Sequence, residues 1–324
     1  MSGGRLLLLV TGASRGFGRC VAEEFVRQAA PTNPIDLVLV ARSEVGLQSA
    51  SDSVDEIAKK MRTADGVADV VVRREAMDLG DLDHLEASLE GLFSRIDPLR
   101  YSRAVLINNA GSLGRITFAN ELPALDTFRS EVDFNVTSAL WLSSRFAALF
   151  GAKKSEHSRE TSSSPGEGKP VGDKQDVEGV KTAIGAGATA GGNGGSPRDV
   201  SNNVVVNISS LAALQTFESW SGYCSGKAAR DMFHRQAGSG KLVCHYLVLA
   251  TEQASIGGLK VLNYAPGPMN TDMAREIRTA EQFEEEVQSG KLIDPSVSAE
   301  KCARLALRGT FESGSHIDYF DEEN

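Results

Sequence analysis

The sequence predicts a doubly wound α/β fold, a parallel sheet of about seven strands with helices on both faces. Two features carry that expectation. Short apolar, often β-branched runs alternate with longer stretches of helical periodicity along most of the chain. The first run also leads directly into a glycine-rich turn and then a helical stretch, the arrangement that opens a βαβ unit.

Taken in order, residues 5–10 form an apolar run ending at Thr11-Gly12 and predict a buried first strand. Residues 20–28 then place Val21, Phe25 and Val26 on one helical face. Strands follow at 36–40, 70–74 and 104–107, with helices at 45–61 and 82–93 between them. A long helical stretch at 128–150 precedes strand 204–208, helix 222–233 and strand 259–264, which runs into Pro266-Gly267-Pro268. Residues 6–10 are too few for a signal-peptide core, and no run of about 18 apolar residues exists to span a membrane.

Two stretches break the alternation. Residues 151–203 contain no aromatic side chain, and 185–195 are nearly all Gly, Ala and Asn. Such a composition buries too little apolar area to offset its ordering entropy, so it predicts a disordered surface insertion within one domain spanning 1–324. Residues 242–249 are strongly apolar, yet Gly238-Ser239-Gly240 precede them. At 237–256 two readings stand side by side: a continued helix, or a helix interrupted by an insertion.

The charge excludes some functions. Net charge is −9, and basic residues never run more than two in a row, which argues against non-specific binding to nucleic acid or anionic membrane. Cys20, Cys224, Cys244 and Cys302 are far apart and have no metal-ligand spacing, so they read as free thiols of a cytoplasmic protein.

The chemistry begins at Thr11-Gly12-Ala13-Ser14-Arg15-Gly16-Phe17-Gly18. Between a strand and a helix, such a turn lets backbone approach a pyrophosphate while the helix N-terminus offers free N–H groups. The second strand ends at Ala41-Arg42 and has no acidic residue there to hold a ribose 2′-hydroxyl. Arg42 and Arg15 can instead grip a 2′-phosphate, which points to NADPH. Tyr223 and Lys227 are four residues apart on a predicted helix and share a face. An ammonium beside a tyrosine lowers its pKa towards the range useful for proton transfer.

Together these motifs resemble the short-chain dehydrogenase/reductase family, whose fold is Rossmann-type. Asn108-Asn109-Ala110-Gly111 ends a strand, Tyr223-x-x-x-Lys227 follows, and Ser210 stands 13 positions before Tyr223, the family's usual interval. The resemblance implies Ser210, Tyr223, Lys227 and Asn135 as the catalytic set. Tyr223 would be the proton donor to a substrate carbonyl, Ser210 the holder of the oxygen, and Asn135 the support of Lys227 through a water. Ser209 is the neighbouring alternative, and spacing favours Ser210. The resemblance also implies Gly12, Ser14, Arg15, Gly16, Phe17, Gly18, Arg42, Asp78, Leu79, Asn109, Ala110, Gly111, Tyr223, Lys227, Pro266 and Gly267 at the cofactor, with Asp78-Leu79 bordering the adenine.

Longer stretches resemble one branch of that family, the sepiapterin reductases: Asn207-Ile208-Ser209-Ser210-Leu211, residues 223–232 and 261–268, and Ser313-Gly314-Ser315-His316-Ile317-Asp318-Tyr319-Phe320-Asp321. In that branch a tail aspartate anchors the pterin, and Asp318 occupies the matching position. A carboxylate can accept paired hydrogen bonds from a pterin's 2-amino and N3–H edge. The branch implies reduction of the side-chain carbonyls of sepiapterin or 6-pyruvoyl-tetrahydropterin towards tetrahydrobiopterin. It also implies a homodimer formed through the helices that hold 134–150 and 223–233. The alternative is a broader NADPH-dependent reductase of diketones, which has no pterin edge for Asp318 to bind. A protein that merely binds dinucleotide, without catalysis, is at odds with the intact Ser210, Tyr223 and Lys227.

Overall fold

Among the described residues of the computed structural model, seven strands run side by side. They are β1 (Leu6–Thr11), β2 (Ile35–Ala41), β3 (Val70–Ala76), β4 (Arg103–Asn108), β5 (Val204–Ile208), β6 (Lys260–Ala265) and β7 (Ser315–Asp318). Their order is β3-β2-β1-β4-β5-β6-β7, and every neighbouring pair is parallel. The order reverses between β1 and β4, which opens a crevice at the C-terminal ends of those strands, where ligands of such sheets bind.

The structure describes residues 4–61, 69–122, 124–152, 200–235, 249–254 and 258–322. They belong to one compact unit, Met1–Lys153 with Val200–Asn324, and a second unit, Lys154–Asp199, lies outside the described residues. Most of the expected insertion at 151–203, namely 153–199, and most of the ambiguous stretch 237–256 therefore fall outside them. Of the latter, only a short helix at its C-terminal end, Leu249–Ala254, is described in regular form.

The central strands are largely apolar because both sheet faces are covered. Leu6, Leu8 and Val10 of β1 pack on one face with Phe25 of helix α1 (Gly16–Ala29) and Val54 of α2 (Glu44–Met61). Leu7 and Leu9 pack on the other, with Leu89 of α3 (Leu82–Phe93) and Phe146 of a helix ending at Phe150. Edge strand β3 carries Arg73, Arg74 and Glu75, charges that discourage pairing with another chain.

Two features depart from the sequence reading. The long helix expected at 128–150 starts earlier and contains a π turn: α4 (Leu125–Val132), then Asp133–Thr137 in π geometry, then α5 (Ser138–Phe150). The C-terminal part also holds helices that the apolar pattern did not signal. After α6 (Ser221–His234) and α7 (Leu249–Ala254) come α8 (Asp272–Glu276), α9 (Ala280–Gln288) and α10 (Pro295–Arg308). The inner face of α10 is built from small residues, Ala299, Cys302, Ala303 and Ala306, which permit close packing on the core but make a weak periodic signal.

Candidate active site

The glycine turn sits at the switch point. Gly12 and Gly16 have φ of +64° and +55°, the left-handed region that glycine tolerates without strain. A Cβ on Gly18 would lie 2.5 Å from the Gly12 carbonyl oxygen, so α1 can approach its own turn only with glycine there. Arg15 caps α1 in extended conformation without a side-chain bond to the helix, and the first turn carries no acidic residue. The N-terminal N–H groups and dipole of α1 are thus left for an anion. Across the switch point, Thr11 Oγ1 accepts from the backbone N–H of Asn109 and of Ala110, both at 2.9 Å, and Asn109 Nδ2 donates to Thr11 O at 2.9 Å. These bonds lock the ends of β1 and β4 together.

The other residues expected at the cofactor divide into two groups. Ser14 is half-buried, while Arg15 and Arg42 are exposed. Each arginine has a carboxylate partner: Arg15 pairs with Asp272 at 2.7 Å, and Arg42 lies 4.0 Å from Asp78. Phe17 and Leu79 have buried side chains, and the Phe17 ring stacks on Tyr264 with centroids 6.3 Å apart. Both side chains contribute to core packing.

Ser209 and Ser210 face different ways. Ser209 Oγ is buried and donates to Asp231 Oδ1. Ser210 Oγ accepts from the Ala212 backbone N–H at 3.1 Å, capping a short 3-10 turn, and its side chain acts on the Tyr223 phenol, favouring the phenolate. The geometry therefore groups Ser210, rather than Ser209, with Tyr223. One turn further along α6, Lys227 is buried, its Nζ 5.5 Å from the Tyr223 ring centroid and donating to the Ile208 carbonyl at 2.7 Å.

Burial dominates the electrostatics of the pair. Burial pushes Tyr223 above the ordinary tyrosine range, opposed by the Ser210 hydrogen bond and the charge of Arg230. Burial also pushes Lys227 well below the ordinary lysine range, with Arg230 acting in the same direction. Among the causes acting on Tyr223, the lowering charge is that of Arg230.

Asn135 lies in the π turn, a local unwinding that recurs at functional sites. Its Oδ1 accepts from the Ser112 backbone N–H at 2.8 Å, and a Cβ on Gly226 would lie 3.7 Å from its own Cβ. Asn135 thus joins the 108–112 turn to α6.

Sequence reasoning missed the polar network beneath these groups. Arg230 is buried on α6 and donates to the carbonyls of Asn108 and Ala110 and to Asn207 Oδ1. Asp231 accepts from Ser209, from Asn207 Nδ2 at 3.1 Å and from His316 Nδ1 at 2.6 Å. Charged residues beside the Tyr-x-x-x-Lys motif on a helix that must be largely buried were the available signal.

Asp318 ends β7 at the same rim. Ile208 of β5 is in register with Tyr264 of β6, which pairs with Ile317, so Asp318 and Ser210 both lie just past that row. Its Oδ1 accepts from the Phe320 N–H at 3.0 Å, leaving the other carboxylate oxygen for a partner. After β6, Pro266 is buried and Gly267, with φ of +75°, turns against Tyr319 and Phe320.

Comparisons with known proteins give the family of the chain. The short chain dehydrogenase family model matches residues 7–166 and 198–282. Sepiapterin reductase of Rattus norvegicus is 32% identical over 335 residues, covering 99% of this chain and 100% of the relative. Benzil reductase ((S)-benzoin forming) of Bacillus subtilis is 26% identical, covering 96% of this chain and 97% of the relative. A solved actinorhodin polyketide ketoreductase with NADPH is 19% identical with a TM-score of 0.62, over 98% of this chain and 97% of that one, a likeness of fold. The chain belongs to the short-chain dehydrogenase/reductase family and, within it, to the sepiapterin reductases.

Proposed function

We propose that this protein reduces the side-chain carbonyl of a pterin, sepiapterin first among them, with NADPH. The observation that carries the reading is the gathering of Ser210, Tyr223 and Lys227 at the sheet rim that also bears Asp318, in a chain alignable over 99% of its length with a sepiapterin reductase.

A nicotinamide cofactor is common to the family, and the residues present fit one. The uncapped N-terminus of α1 and the close glycine approach at Gly12 and Gly18 suit a pyrophosphate. Arg15 and Arg42 suit the extra phosphate of NADPH. When bound, the cofactor supplies the hydride. The protein's part is placement and proton delivery. Ser210 Oγ donates to the carbonyl oxygen as negative charge builds there, an oxyanion-hole role. Tyr223, protonated at neutral pH as a phenol ordinarily is, gives its phenolic proton to that oxygen, and the alcohol results. Lys227 ties the helix that bears Tyr223 to the end of β5, and Arg230 ties it to the carbonyls of Asn108 and Ala110. Asp318 accepts from the 2-amino and N3–H edge of the pterin and so selects the substrate.

The identity to a benzil reductase favours a second reading, a broader carbonyl reductase that accepts diketones. Asp318→Asn separates the two. It keeps the shape and replaces an acceptor with a donor, which costs about 1–3 kcal/mol, or roughly 5- to 150-fold. The loss falls on sepiapterin and spares benzil if the pterin reading holds. A sepiapterin-to-benzil ratio of kcat/KM equal to that of the unaltered protein would refute it. A homodimer through the helices around α5 and α6 belongs to the same reading, and sedimentation velocity tests it. The free thiols of Cys20, Cys224 and Cys302 agree with a reducing, cytoplasmic setting.

A further inference from the structure

Lys301 takes no part in the chemistry above, yet it is a buried cation. It lies on α10 and is 6% exposed. Its Nζ donates to three backbone carbonyls, those of Asp318 at 3.1 Å, Tyr319 at 2.9 Å and Asp321 at 2.5 Å. An ammonium has three N–H donors, so its whole capacity goes to one short stretch of chain. That stretch is the turn that bears Asp318.

The turn is also closed from within. Asp318 N donates to Asp321 Oδ2 at 2.7 Å, and Phe320 N donates to Asp318 Oδ1 at 3.0 Å. It is tied to the sheet through Tyr319 N and the Ala265 carbonyl at 2.8 Å, beside the Gly267 turn. Burying an ammonium costs free energy that an apolar residue of the same length avoids. Charge-assisted bonds to the three carbonyls offset that cost, and all of them act on the tail.

We propose that Lys301 is a positioning residue for substrate recognition: by gathering the carbonyls of Asp318, Tyr319 and Asp321, it sets the turn that aims the Asp318 carboxylate at the pterin edge. Lys301 touches neither substrate nor cofactor in this account, and the inference rests on the pterin reading above.

Lys301→Met tests it, because the thioether keeps the stem and removes all three donors. Two measurements are made on the full chain: hydrogen exchange of the peptide spanning 315–322, and kcat and KM for sepiapterin and for benzil with NADPH. Exchange at the Phe320 and Asp321 amides should accelerate. KM for sepiapterin should rise roughly tenfold, within the about 100-fold that a 1 Å misplacement can cost. The constants for benzil, which has no pterin edge, serve as the internal reference and should hold. Lys301→Gln, which retains a donor group, should give an intermediate shift and supplies the answer if the Met variant does not fold.

Unchanged tail exchange would overturn the proposal. So would equal losses for both substrates, the mark of a purely structural lysine. Asp318→Asn, assayed alongside, separates the failures. If it leaves the sepiapterin-to-benzil ratio untouched, the pterin-anchor reading itself falls. If it shifts the ratio while Lys301→Met does not, only the role of Lys301 falls.

Discussion

Replacing Arg42 with alanine tests the cofactor assignment, and the structure sets the size of the effect. Arg42 lies 4.0 Å from Asp78, with 71% and 49% of the two side chains exposed. An ion pair so exposed contributes about 0–1 kcal/mol. A charged hydrogen bond to a phosphate oxygen contributes about 1.5–3 kcal/mol. Exchanging one for the other leaves about 0.5–3 kcal/mol in favour of the 2′-phosphate, or roughly 2- to 150-fold in affinity. Arg42→Ala should therefore raise the Kd of NADPH by a factor in that range and barely move that of NADH, which has no phosphate there. Asp78→Asn is the complement: with Arg42 released from its carboxylate, NADPH should bind up to about fivefold tighter. Nucleotide fluorescence titrations give both constants, and repeating them at higher salt should shrink the NADPH effect, because exposed charges are screened. Equal losses for NADPH and NADH in Arg42→Ala would refute the reasoning and make Arg42 structural.

Other variants probe the remaining parts of the site. Tyr223→Phe keeps the ring and removes the proton, so steady-state carbonyl reduction should fall by about 10²- to 10⁴-fold while the Kd of NADPH stays near its original value. Gly18→Ala forces a Cβ to 2.5 Å from the Gly12 oxygen and from Asn109 Nδ2, overpacking that should cost about 1–3 kcal/mol and lower both Tm and NADPH affinity. His234 is buried between Ser143 and the Arg230 carbonyl, and burial lowers its pKa to about 4. The unfolded chain takes up that proton near pH 6.5 and the folded one only near 4. Its contribution to stability is therefore present above pH 6.5 and lost as pH falls through that window, by about 3 kcal/mol at most. Urea titrations across the window should show this slope, and His234→Gln should flatten it.

The strand–helix alternation was legible because strands covered on both faces must be largely apolar, as residues 6–10 and 204–206 are. The glycine turn and the Tyr223–Lys227 pair were legible because their chemistry fixes residue type and spacing. What escaped lay where burial is achieved by small or charged residues. The inner face of α10 is alanine and cysteine, and Lys301 on that helix reads in sequence as an ordinary solvated lysine. Arg230 and Asp231 interrupt a helix face that hydropathy alone would turn to solvent, yet both are buried and bonded. The burial of Lys227 escaped for the same reason, since four-residue spacing gives proximity to Tyr223 but not the desolvation that pushes the lysine below its ordinary range. The π turn at Asn135 left no mark in periodicity, because one extra residue per turn scarcely disturbs a pattern read over 23 positions, 128–150.

The most direct test of the account is the reaction itself, followed as NADPH consumption with sepiapterin, with benzil in parallel and NADH as the alternative cofactor. The account predicts turnover of sepiapterin with NADPH, at a kcat/KM well above that for benzil and well above that with NADH. A protein that turns over benzil readily but leaves sepiapterin unreduced would contradict it, whatever the site's resemblance to its relatives.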